Sequence, residues 1–88
     1  MNDYTFTTKR VALWRVTSSD MPLEKNVSPG YPIDRHFLEK DEVFMTTGTQ
    51  TSSGWHQVLC HHGLLWVFKT QLVWRAPEGD HRDAKRIV

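Results

Sequence analysis

Trp55-His56-Gln57-Val58-Leu59-Cys60, then His61-His62-Gly63, then Leu64-Leu65-Trp66-Val67-Phe68, is the stretch that decides the fold. Two short apolar runs, rich in Trp, Val and Phe, flank a polar connection that ends in Gly. Residues of this kind favour strands. Gly63 supplies the left-handed backbone that a tight hairpin turn requires. The stretch therefore reads as a β-hairpin. If Val58 and Val67 face the core, alternation turns Trp55 and Trp66 to the opposite face.

The pattern continues on both sides. Downstream, Leu72-Val73-Trp74 reads as a last short strand. Upstream, Glu42-Val43-Phe44-Met45-Thr46 alternates, with Val43 and Met45 expected inward and Phe44 outward. Residues 47–54 hold Thr, Ser, Gln and Gly without an apolar anchor, and predict an exposed, mobile loop. Residues 5–16 predict the first strand. Its register is open between a Val11/Leu13 face and an Ala12/Trp14/Val16 face. Between them, residues 18–36 carry Pro22, Pro29, Gly30 and Pro32, which predict a long loop. Met21, Leu23, Val27, Tyr31 and Ile33 give that loop enough apolar surface to lie against a core. Helical periodicity is scarce. The expectation is an all-β domain over residues 1–75, with a polar tail at 76–88 that is frayed or a short helix.

Composition bounds the function. The chain has 88 residues, 39% of them hydrophobic and 24% charged, which suits one small globular domain. A net charge of +1 gives no general pull toward nucleic acid or anionic lipid. Cys60 is the single cysteine, so no intrachain disulfide forms. No apolar leader or membrane-length run is present, and the expected location is the cytosol.

The segment from Leu38 to Leu72 resembles bacterial Src-homology-3 domains. Leu38, Asp41, Val43 and Met45 match the first part of that pattern, Gly54-Trp55 and Val58 the second, Trp66-Val67 the third, and Leu72 the last. Ala12-Leu13-Trp14-Arg15 stands where the family's first strand lies, and 18–36 where its long first loop lies. Two positions depart from the pattern: Asp41 replaces a turn Gly, and Leu65 replaces the Gly before the second Trp. The positions with which eukaryotic members hold proline-rich peptides have no evident counterpart. The resemblance implies a five-stranded Src-homology-3-like barrel with a long first loop, beside which ligands dock.

His56, Cys60, His61 and His62 attract a metal reading. In a strand, however, four residues span about 13 Å, too far for His56 and Cys60 to share one ion. His61 and His62 would need help from elsewhere, such as His36. No catalytic residue, metal or cofactor is expected. The aromatics carry the functional expectation. Trp55, Trp66, Tyr31 and Phe44, with Trp14, are the candidate partner-binding residues, because Trp and Tyr dominate binding hot spots. The expected function is non-enzymatic binding of another protein or peptide, as a stand-alone adaptor or inhibitor of bacterial or phage origin. A nucleic-acid-binding small barrel is the alternative, using Arg10, Arg15, Arg35, Lys69 and Arg75. Cell-wall peptide binding, typical of the resembled family, ranks third.

Overall fold

The computed structural model describes residues 4–27, 34–72 and 83–87. The expected features at Tyr31, Val73 and Trp74, and most of the tail, lie outside these residues. Eight strands follow one another: β1 (Thr5–Thr7), β2 (Ala12–Val16), β3 (Asp20–Glu24), β4 (Arg35–Glu39), β5 (Val43–Thr51), β6 (Trp55–Cys60), β7 (Gly63–Phe68) and β8 (Ala84–Arg86). A single 3-10 turn, Lys69–Gln71, follows β7. Among the described residues there is no α-helix, so the all-β expectation holds. The strands form one antiparallel sheet in the order β4-β3-β7-β6-β5-β2-β8, with β1 added to β5. The path ends at β4 and β8, which do not pair, so the sheet is not closed.

The β6–β7 hairpin is as the sequence dictates. Cys60 pairs with Gly63 across the two-residue turn His61-His62, and Gly63 has φ 100°. Val58 and Val67 are fully buried, as expected from their alternation.

The register of β5 is the reverse of the expected one. Phe44 and Thr46 point inward, whereas Val43 is 47% exposed and Met45 is half-buried. The cause lies in β2, where Ala12, Trp14 and Val16 form the inner face. Trp14 pairs with Phe44, and the two rings lie nearly parallel, 6.3 Å between centroids. Thr46 Oγ1 accepts hydrogen bonds from Trp14 Nε1 (3.2 Å) and from the Ala12 amide (3.1 Å). This arrangement buries two large rings and satisfies the indole donor. Turning Val43 and Met45 inward instead would put the Phe44 ring on the surface and take Thr46 Oγ1 away from the indole N–H. Full burial of a Phe side chain stabilises by about 1.5–3 kcal/mol.

Three further segments depart from expectation. Residues 47–51 continue β5 instead of forming a mobile loop, with Thr46, Gly48 and Thr51 buried. Threonines are good strand formers, and β1 pairs with this extension through Thr5, Phe6 and Thr7. A register shift lies between Thr46 and Gln50. Gly48, at φ 94°, sits in it, and a Cβ there would collide with the Thr8 carbonyl. The expected long loop 18–36 contains β3 and β4, a paired hairpin with Met21, Leu23 and Leu38 buried. Pro22 lies within β3 because that strand pairs with β7 only at Glu24↔Trp66. On the flank left without a ladder, Gln71 Nε2 donates to the Pro22 carbonyl (2.8 Å), so no pairing amide is missed. Finally, the described part of the tail forms β8 on the edge of β2, with Ala84 inward and Lys85 outward.

The inner faces of β2, β3, β4, β5, β6, β7 and β8 meet in one core, joined by Leu72. The sheet must therefore curl around it. At the turn before β5, Asp41 adopts φ 74° and its amide bonds the Val16 carbonyl (2.9 Å). Asp tolerates this left-handed backbone better than most residues.

Candidate binding face

The outer face of β2, β5, β6 and β7 carries a row of apolar side chains, set by the registers of three strand pairs. Leu13 is opposite Met45, Met45 opposite Leu59, and Leu59 opposite Leu64. Leu59 is 45% and Leu64 55% exposed, while Leu13 lies at 36%. Four adjacent strands make this row about 14 Å long. Val43, two residues before Met45, widens it at the end nearest the hairpin tip.

Toward the other end of the hairpin the same face carries rings. Trp66 is paired with Gln57 on one side and Glu24 on the other. Trp55 is paired with Phe68, and their rings meet edge to face, centroids 5.2 Å apart. Gln57 is held by a hydrogen bond from Thr47 Oγ1 (3.0 Å). Trp55, Trp66 and Phe68 are all half-buried. Phe37, on the outer face of β4, is 52% exposed.

The structure therefore divides the five sequence candidates. Trp55 and Trp66 lie on the outer face together. Trp14 and Phe44 are core residues, because the β2 register draws both inward, and their side chains are not on the surface. Tyr31 is outside the described residues. The aliphatic members of the face, Leu13, Val43, Met45, Leu59 and Leu64, were not among the candidates. Alternation from Val58 would have found Leu59, since it must face opposite to its neighbour. Met45 was hidden by the reversed β5 register.

The polar cluster at the hairpin tip has a different character. The rings of His61 and His62 lie 3.9 Å apart, and His36 of β4 approaches His62 at 5.1 Å. His61 Nε2 is 2.8 Å from Glu42 Oε1. Among the described residues, no group of three or more His, Cys, Asp or Glu is arranged to hold a metal ion. Burial pushes the Cys60 thiol pKa up, and the Glu42 carboxylate adds to this. Its Sγ donates to the Gly63 carbonyl (3.6 Å). A thiol so held is a weak nucleophile.

At the far end of β6, His56 is buried beneath the sheet's inner side. Burial lowers its pKa, and the nearby charges of Arg10 and Lys69 lower it further. Among the described residues, no helix is long and apolar enough to cross a membrane. Comparison of the chain with protein-family models, with curated proteins and with solved structures returns no match.

Proposed function

We propose that this chain is a non-enzymatic binding module whose partner is another protein, docked on the outer face of β2, β5, β6 and β7. One observation carries this: the row Leu13–Met45–Leu59–Leu64, continued by Trp66 and the Trp55–Phe68 pair, lies on the surface rather than in the core. Isolated exposed apolar residues are ordinary, but a contiguous group with large rings is typical of protein interfaces. The resemblance to bacterial Src-homology-3 domains supports the same class, with the sheet as a variant of that barrel. An adaptor or inhibitor of bacterial or phage origin fits a module of this size.

The test is an affinity capture from native cell extract, comparing the wild-type chain with a Leu59→Ser/Leu64→Ser double variant. A protein retained by the first and lost by the second supports the proposal. Equal retention by both chains sinks it, provided their thermal melts coincide. Because Leu59 and Leu64 are outward, the melts should differ little.

A further inference from the structure

We propose a second, separate binding site, for single-stranded nucleic acid, at the end of the sheet where β1 meets the end of β5 and the start of β6. Its first basis is the distribution of charge. β1, β2, β5, β6 and β7 contain no Asp or Glu at all, and neither does the β1–β2 connection. The cations on these strands, in the β1–β2 connection and directly after β7 are Lys9, Arg10, Arg15 and Lys69. Three of the four belong to this end. Lys9 and Arg10 lie in the β1–β2 connection, and Lys69 directly follows Phe68, the strand partner of Trp55. Arg10 and Lys69 are both close enough to His56 to act on its imidazole electrostatically.

The second basis is aromatic. Tyr4 is 63% exposed and Phe6 is 39% exposed, and their rings lie 5.9 Å apart. Register places Phe6 opposite Gln50, and Gln50 opposite His56. Phe6 thus shares its side of the sheet with Gln50 and His56, the imidazole on which Arg10 and Lys69 act, and is set apart from the outer aliphatic row. The stem of Lys69 lies over Gly54, and its ammonium is 6.0 Å from the Phe68 ring centre. Exposed rings that accept stacked bases, beside cations that accept phosphates, are what sequence-tolerant single-strand binding requires.

The test is fluorescence anisotropy with a short labelled oligonucleotide of mixed sequence, as DNA and as RNA, at about 50 and 200 mM salt. Binding is expected at the lower salt. With three phosphate contacts, at a single-strand slope of about 0.7 each, it should weaken roughly tenfold or more at the higher salt. Phe6→Ala and Tyr4→Ala should each weaken it about fivefold or more by loss of stacking. Lys69→Gln should flatten the salt slope by about 0.7. Leu59→Ser/Leu64→Ser should leave it unchanged, which separates this site from the outer face. No binding at low salt overturns the proposal. So does binding indifferent to both ring variants, or equal competition by polyglutamate, which would assign the site to an acidic protein segment.

Discussion

Trp14 and Trp66 occupy the two faces of one sheet, and their surroundings differ in kind. Trp14 is fully buried, lies parallel to Phe44, and has its indole N–H bonded to Thr46. Trp66 is half-buried on the outside, between Gln57 and Glu24. A ring is an anchor of the fold where its donor is satisfied and its neighbours close around it. It stays partly open to solvent where, as with Gln57 and Glu24 beside Trp66, its neighbours do not close around it. Residue type does not distinguish the two cases; strand register does.

The contrast is broken most severely from the inside. Trp14→Ala or Phe44→Ala should destabilise by about 3–5 kcal/mol, measured by denaturant unfolding, through lost burial and the cavity left behind. Trp66→Ala should cost clearly less. Equal losses for Trp14 and Trp66 would mean that the two faces do not differ as described.

A smaller effect isolates the polar link. Thr46→Val keeps the shape of the side chain but removes the acceptor used by Trp14 Nε1 and the Ala12 amide. Two buried donors would lose a partner, for a cost of about 1–3 kcal/mol. A variant as stable as the wild type would show that the β2–β5 register rests on ring packing alone.

The smallest effect concerns His56. Its pKa is lowered in the folded chain, chiefly by burial, so the unfolded chain takes up the proton first. Stability from this group is whole above the ordinary His value of 6.5 and is lost as pH falls through the folded value. The melting temperature should therefore fall less on acidification in His56→Gln than in the wild type. Identical slopes would place His56 in a wetter setting than its burial implies.

How much of this was legible beforehand depended on whether local signals were enough. The β6–β7 hairpin was, because Gly63 and the alternation around Val58 and Val67 are contained within fourteen residues of sequence. The register of β5 was not. It depends on Trp14, thirty residues earlier, claiming Phe44 as its neighbour and Thr46 as its acceptor. β3 was hidden by Pro22, whose tolerance depends on a flank where Gln71, not a strand, supplies the contact. Residues 47–51 looked like a loop because threonine is polar, although its branched side chain suits a strand that β1 can pair with. The outer face was half legible: Trp55 and Trp66 followed from the hairpin, but the aliphatic row needed the β5 register.

The strand Ala84–Arg86 has a consequence for anyone shortening this chain. It lies along β2 over Trp14, Arg15 and Val16, and fills hydrogen-bonding positions on that strand's flank. Removing Ala84–Arg86 would uncover an edge directly beside the largest buried ring. Bare edges of this kind recruit strands from other molecules. A trimmed protein would therefore be prone to precipitate at concentrations where the intact one stays dispersed, even if its remaining strands fold unchanged. Ala84–Arg86 would then serve to shield that edge from other molecules, besides placing Ala84 in the core.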